Sequence, residues 1–279
     1  MGIRTHALVA TFVLAVLSSA LGILTAPTTP AIAWAPVSRA TIHPGVRMYT
    51  AGGQCTANFV FTDGYNVFLG YAAHCAGLGG AFDTNGCRTG SLPLGTPVEI
   101  EGASRRGVLA YSSWVTMRSV RERDPNRCAH NDFALVRLNR ADIRRVNPSV
   151  PHWGGPTGVT SSGLAVGSTI RAYGRSALRL GLPIGPIIGV SEGTYDGWEH
   201  PVYSITPGVP GDSGMAGLDE QGRAFGVFTK IGIAPYAGES TFIDLYRALR
   251  YMRAKTSLDA VRLVTGTAPF RPGRPPVET

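Results

Sequence analysis

The chain of 279 residues is poor in charge: only 16% of it is Asp, Glu, Lys or Arg, and 18 acids face 26 basic residues. No heptad repeat runs through it, which with the low charge excludes a coiled coil. Gly and Pro are abundant, at 36 and 20, but aperiodic, so a collagen-like repeat is excluded and many turns are implied. Cysteines number only four, with no C-x-x-C pair and no matching His cluster, which argues against zinc. Beyond residue 24 no segment resembles a transmembrane helix. What is plentiful is apolar side chain, 44% of the chain, enough for a sizeable core and too much for wholesale disorder. A turn-rich, mostly β globular protein is the expectation.

The first residues speak to compartment. Residues 1–6 carry Arg4 and no acid, and residues 7–24 are an 18-residue, nearly unbroken apolar run. Ala31-Ile32-Ala33 then matches the small-x-small pattern that a signal peptidase reads. The expectation is a signal peptide over 1–33 and a mature start near Trp34, with cleavage after Ala20 or Ala26 as alternatives. An uncleaved anchor is the competing reading, since 18 apolar residues lie near the lower limit for a span. The domain is thus expected to be secreted, or held at the outer face of a membrane if the leader stays. Cys55, Cys75, Cys87 and Cys128 suit that location; they allow three pairings, and their order favours Cys55–Cys75 with Cys87–Cys128. The formal net charge is +8, concentrated in 105–127 and 247–255. Neither stretch interleaves aromatics or carries a known motif, so no nucleic-acid partner is expected; solvated faces and attraction to an acidic cell surface suffice.

Short apolar runs between turn signals recur after residue 56: 58–62, then Asp63-Gly64, then 66–71, which reads as a hairpin. Further strands are expected at 98–101, 108–116, 133–138, 169–173, 187–190, 202–206 and 224–229, a spacing that suggests a barrel or sandwich. Asn147-Pro-Ser-Val-Pro151 breaks the series and reads as a linker. In 242–254, Phe242, Leu245, Leu249 and Met252 recur at spacings of three and four, which predicts one amphipathic helix. Residues 35–45 read as an irregular arm, and from Thr256 the Pro- and Arg-rich chain reads as a disordered tail.

Three signatures carry chemistry: Tyr71-Ala-Ala-His74-Cys75, Asn131-Asp132-Phe-Ala-Leu-Val136 and Pro210-Gly-Asp-Ser213-Gly214. A serine hydroxyl is a weak nucleophile until an adjacent imidazole takes its proton, and the imidazole needs a carboxylate to fix its tautomer. Glycines around Ser213 allow close approach of a carbonyl, and successive amides there can bind an oxyanion. Gly189-Val-Ser191-Glu-Gly193 is a formal G-x-S-x-G, but the last histidine, His200, follows within nine residues and no β–α alternation surrounds it, so Ser191 reads as a turn residue. His130-Asn-Asp132 gathers no further ligands, and His43, His152 and His200 read as surface or loop residues; no metal is expected.

These signatures, A-A-H-C at 72–75, D-x-A-L-V-x-L at 132–138 and G-D-S-G at 211–214, resemble those of the chymotrypsin-like serine proteases, small secreted bacterial members in particular. The resemblance covers roughly 52–255. It implies an all-β fold of two packed six-stranded antiparallel β-barrels with a C-terminal α-helix, the lobes being 52–146 and 147–255, after a leader at 1–33 and an arm at 34–51 and before a tail at 256–279. It implies His74 as general base, Asp132 as its orienting carboxylate, Ser213 as nucleophile, and Gly211 and Ser213 N–H groups as oxyanion donors. Cys55–Cys75 matches the disulfide that braces the histidine loop in the family.

The chain also departs from that pattern. Met215-Ala216 follows G-D-S-G where Gly-Pro is common. The specificity-pocket floor is Pro207 rather than an acid, which disfavours basic side chains, since a buried cation there would go unpaired. Thr229, Lys230 and Ile231 align with the pocket wall; Ile231 in place of glycine would narrow it toward small apolar side chains, and Lys230 offers an acidic side chain a weaker alternative. No cleavage site for making a new ammonium partner for Asp212 is evident, so an internal arginine is expected, with Arg175 a candidate. The expected activity is a secreted serine endopeptidase, monomeric, acting on protein or peptide substrates with no cofactor. An extracellular relative that binds peptides without useful turnover is the alternative.

Overall fold

Two antiparallel sheets form the body of this computed structural model, which describes Gly2 and residues 32–80, 83–232 and 238–276. Most of the expected leader lies outside the described residues. Among the described residues no helix is long and apolar enough to cross a membrane. Apart from Gly2 they all belong to one unit, Ala31–Thr279.

The first sheet holds β1 (Arg47–Thr50), β2 (Gly53–Thr56), β3 (Val60–Thr62), β4 (Val67–Tyr71), β5 (Pro97–Ile100), β6 (Gly107–Ser112), β7 (Ala134–Arg137) and, from the far end of the chain, β14 (Arg262–Leu263). Their order is β14-β3-β4-β7-β6-β5-β1-β2. The second sheet holds β8 (Thr169–Tyr173), β9 (Pro186–Ser191), β10 (Glu199–Ser204), β11 (Ala216–Leu218), β12 (Ala224–Ile231) and β13 (Ser240–Asp244), closed into a six-stranded barrel in the order β10-β13-β12-β11-β8-β9. The linker at 147–151 falls between β7 of the first sheet and β8 of the second. The first sheet exceeds the expected six strands partly because β14 comes from the presumed tail, and β1 lies within the presumed arm.

Alternation explains how the sheets pack. Along β4, Val67, Leu69 and Tyr71 point into the core of the first lobe while Phe68 joins a second cluster. Along β7, Ala134 and Val136 enter the first core, and Leu135 enters the second. This is the period-two pattern of a strand buried on both faces. The second cluster is a shared layer, filled from the other side by Ala216, Val227 and Ile243 and sealed by the C-terminal helix through Leu245, Ala248, Leu249 and Met252. Each fully buried Leu, Ile, Val or Met among them contributes about 1.5–3 kcal/mol. The β3–β4 hairpin turns where expected: Asp63 Oδ1 accepts from Tyr65 N at 2.8 Å and Asn66 N at 2.6 Å, and Gly64 takes a φ of +96°.

Helix caps displace several expected boundaries. The expected strand over 108–116 stops at Ser112, whose hydroxyl accepts from Val115 N and starts α1 (Ser113–Ser119). The expected helix over 242–254 surrenders Phe242, Ile243 and Asp244 to β13; Asp244 then caps α3 (Leu245–Lys255) by accepting from Arg247 N at 2.8 Å. A short helix that sequence reading missed, α2 (Pro125–His130), starts at the Asp124 cap with Pro125 in its first turn.

The arm and the tail are both tied down, which corrects the expectation of a disordered tail. Arg171 grips the Pro272 carbonyl with Nε at 3.0 Å and Nη2 at 2.6 Å, Gly155 N donates to Ala268 O at 3.1 Å, and Arg271 N donates to Trp153 O at 2.8 Å. Both termini meet at Asn147 in the linker: its Nδ2 donates to Ala35 O at 2.6 Å and Thr267 Oγ1 at 2.8 Å. A Pro- and Arg-rich composition reads as solvated, but here its backbone carbonyls are the acceptors that buried donors need.

Candidate active site

His74 sits in a single helical turn, Ala73–Ala76, directly after β4. Its neighbour Cys75 is bonded to Cys55 on β2 (S–S 2.03 Å), so the turn is tied across the sheet. The His74 ring and the two sulfurs lie within 4.8 Å of one another, but sulfurs joined in a disulfide leave no thiolate to ligate a metal.

Asp132 follows α2, which the second disulfide, Cys87–Cys128, anchors. Ser113, at the start of α1, brackets Asp132: its hydroxyl donates to Asn131 O at 2.6 Å and accepts from Phe133 N at 3.1 Å. The carboxylate is buried, and both of its oxygens are occupied by one residue. Oδ1 accepts the His74 main-chain N–H at 2.8 Å, and Oδ2 accepts the ring at Nδ1 at 2.6 Å. An ionised carboxylate can only accept, so Nδ1 carries the proton and Nε2 is left as the basic nitrogen. Burial opposes a charged ring, but the charge of Asp132 and its hydrogen bond outweigh it and hold the His74 pKa above the ordinary 6.5.

Ser213 lies in the turn between β10 and β11, and that turn is stitched to the first lobe. Thr56 N donates to Ser213 O at 2.8 Å and Thr56 Oγ1 donates to Gly211 O at 2.8 Å. A Cβ on Gly214 would meet the Thr56 carbonyl and stand 3.0 Å from Ala72 N, two residues before His74. The serine turn thus abuts the histidine turn with no room for a side chain between. Ser213 Oγ and the His74 ring make no hydrogen bond with each other in this structure; in unliganded sites such bonds often tighten only with substrate. Among the described residues the N–H groups of Gly211 and Ser213 have no acceptor, whereas Asp212 N between them donates to Val209 O at 2.9 Å.

Asp212 is fully buried and has an internal arginine partner, but the partner is Arg179 and not Arg175. Arg179 Nη2 stands 2.6 Å and Nε 3.0 Å from Oδ2, and Ser176 N and Val209 N also donate to the carboxylate, at 2.9 and 3.1 Å. Arg175 lies on the surface, 3.6 Å from Glu101. The two arginines share one loop, and only the short helical turn Ala177–Arg179 decides which of them points inward.

The expected pocket residues gather at one end of the second barrel. Thr229, Lys230 and Ile231 are on β12; Pro207 belongs to the loop after β10, where Gly208 N donates to Ser240 Oγ at 3.0 Å, and Ser240 is the register partner of Ile231. Lys230 is paired with Glu199 on β10, and His130 Nδ1 lies 2.8 Å from the same carboxylate oxygen. Burial would raise Glu199, but His130 and the Lys230 charge together hold its pKa down at about 2. The Lys230 ammonium is therefore already neutralised. Residues 233–237 lie outside the described residues. Sequence reading missed Ser113, Arg179 and Thr56, which act through hydroxyl or guanidinium contacts to backbone or carboxylate and belong to no motif.

The architecture, a closed six-stranded barrel and a second antiparallel sheet with a C-terminal helix, is the chymotrypsin-like fold. It is similar to that of Thermobifida fusca Protease A, with a TM-score of 0.52 and 21% identity over 81% of this chain and 100% of that one. A Glu endopeptidase structure is similar at a TM-score of 0.50, with 15% identity over 77% of this chain and 92% of that one. No family model and no curated protein sequence matches the chain.

Proposed function

We propose that this chain is an exported serine endopeptidase that hydrolyses peptide bonds through an acyl-enzyme, with Ser213 as nucleophile, His74 as general base and Asp132 as its orienting carboxylate. The observation that carries the reading is the double grip of Asp132 on His74, 2.8 Å to the main chain and 2.6 Å to Nδ1, beside the serine turn. One carboxylate here pairs the His74 main-chain N–H and also fixes the tautomer of the ring, and a general base beside a serine turn needs that tautomer held.

In this mechanism His74 Nε2 removes the Ser213 hydroxyl proton as Oγ attacks the substrate carbonyl carbon. The carbonyl oxygen becomes an oxyanion and accepts from Gly211 N–H and Ser213 N–H. The imidazolium, stabilised by Asp132, returns its proton to the leaving amine, and the C–N bond breaks to give the acyl-enzyme. A water then repeats the sequence, delivering its proton to His74 and its oxygen to the acyl carbon, and Ser213 is regenerated. The Arg179–Asp212 pair would keep the serine turn in working form without a new N-terminus.

Pro207 and Ile231 favour small apolar side chains before the scissile bond, and the Glu199-bound Lys230 argues against an acidic one. The disulfides Cys55–Cys75 and Cys87–Cys128 support an oxidising, extracellular location, with residues 1–33 acting as a signal peptide ahead of the arm at 34–51 and lobes at 52–146 and 147–255. Incubation of the exported protein with a peptide library is the test: cleavage that is lost in Ser213→Ala supports the reading, and equal cleavage by both proteins contradicts it.

A further inference from the structure

In a trans peptide the C=O and N–H point in opposite directions, so whatever holds a carbonyl also aims the amide behind it. Three successive peptide planes run through the serine turn, and each is held by its carbonyl. Asp212 O accepts from Met215 N at 2.8 Å, which turns the Ser213 N–H the other way. Gly211 O accepts from Thr56 Oγ1 at 2.8 Å and Gln54 Nε2 at 3.3 Å. Pro210 O accepts from a single side chain, Ser176 Oγ, at 2.5 Å, and this plane carries the Gly211 N–H.

The Pro210–Gly211 plane is the one most in need of a hold. Gly211 sits at φ +94°, in a region where glycine rotates with little steric penalty. A Cβ there would crowd Ser176 Oγ and Gln54 Nε2, each at 2.7 Å, so a stiffer residue cannot replace it. Ser176 itself is buried and fixed on both sides. Its N–H donates to Asp212 Oδ1 at 2.9 Å, and its oxygen accepts from Leu178 N at 3.1 Å, which directs the hydroxyl proton to Pro210 O. Gln54, reaching from the first lobe, closes the belt: Oε1 accepts from Ala177 N at 3.2 Å while Nε2 holds Gly211 O.

We infer that Ser176, backed by Gln54, is the positioning residue that aims the Gly211 N–H at the developing oxyanion. The inference rests on the reading of Gly211 and Ser213 as oxyanion donors. Ser176 touches neither substrate nor reacting atoms; it acts through the orientation of one peptide plane. A misaimed donor weakens the transition state more than the bound substrate, so the loss falls on kcat rather than KM.

The test uses the exported, disulfide-bonded chain as wild type, Ser176→Ala, Ser176→Thr and Gln54→Ala, each checked for folding by its thermal melt. The readouts are kcat and KM on a peptide substrate and the affinity of a peptide boronic acid, whose tetrahedral adduct places an oxygen where the oxyanion forms. Deleting an oxyanion donor costs about 100- to 1,000-fold in kcat, and misaiming one is expected to cost about 10- to 100-fold. Ser176→Ala should show that fall with KM within about twofold, a parallel loss of boronate affinity, and recovery in Ser176→Thr, which keeps a hydroxyl. Gln54→Ala should show a smaller fall, because Thr56 Oγ1 still holds Gly211 O. A folded Ser176→Ala with wild-type kcat, or a loss that Ser176→Thr does not recover, overturns the inference. If Ser176→Ala yields no folded protein, an unchanged kcat in Gln54→Ala overturns it. A folded wild type with neither turnover nor boronate binding overturns the protease reading itself, and the inference with it.

Discussion

Arg179 and Asp212 form a buried ion pair directly behind Ser213, with Nη2 2.6 Å and Nε 3.0 Å from one carboxylate oxygen and the side chains 5% and 0% exposed. Two further guanidinium donors are also used: Nη1 reaches Ile184 O and Nη2 reaches Pro207 O, both at 3.1 Å. A buried carboxylate this fully satisfied has no need of a second cation.

Removing one member of such a pair leaves an uncompensated buried charge, so Arg179→Met should lower stability by about 3–5 kcal/mol and activity with it. Arg175→Met, by contrast, removes a surface contact at 3.6 Å and should cost under about 1 kcal/mol. Denaturant unfolding of both variants is the check. In the same framework, trimming within residues 41–53 should bring no gain in activity.

The pH dependence follows from His74. Its pKa stands above 6.5 because of Asp132, and a general base must be neutral, so kcat/KM should rise with pH through a midpoint above 6.5 and then level off. The linked stability runs the other way. Preferential protonation of the folded state stabilises it fully below the unfolded value near 6.5, and that contribution disappears as pH rises through the folded pKa. Asp132→Asn should shift the kinetic midpoint downward and lower kcat by about 10⁴. A pH–rate profile of the two proteins decides this.

Ser113 holds the peptide groups on either side of Asp132 with one hydroxyl. Ser113→Ala leaves the Asn131 carbonyl and the Phe133 amide unpaired in the interior, at about 1–3 kcal/mol each. The expected outcome is a lower unfolding midpoint together with a reduced kcat, as the carboxylate gains freedom. Ser113→Thr should recover most of both.

Truncation after Leu263 should separate stability from chemistry. It strips the Pro272 carbonyl from Arg171, whose side chain is largely buried, and Thr267 from Asn147, so a loss of about 1–3 kcal/mol per orphaned group is expected. The triad elements keep their own partners, and the fraction that remains folded should retain kcat. Thermal melts beside active-site titration measure the two effects independently.

The proposed site was legible in the chain because serine-hydrolase chemistry calls for residue types with particular flanks. His74, Asp132 and Ser213 stand in such contexts, and short apolar runs between turn signals mark β3, β4, β7, β8 and β12 directly. Less legible were features in which a residue's role depends on where the backbone carries it. Arg175 and Arg179 lie four residues apart in one loop, and nothing local distinguishes the surface residue from the buried one. Residues 113–116 are apolar enough to continue a strand, and only the Ser112 cap diverts them into α1. The tail offers backbone carbonyls such as Pro272 O to Arg171, a complementarity invisible in composition. Lys230 could be read as a free cation until Glu199, thirty-one residues earlier, was found beside it.

The most direct test of the central claim is labelling of the exported protein by a fluorophosphonate probe, which reacts only with an activated serine, beside Ser213→Ala and His74→Ala. Labelling of the wild type, with none in either variant, is the result expected from a Ser213–His74–Asp132 site that needs no further processing. An unlabelled wild type with both disulfides formed, or equal labelling of Ser213→Ala, would contradict it.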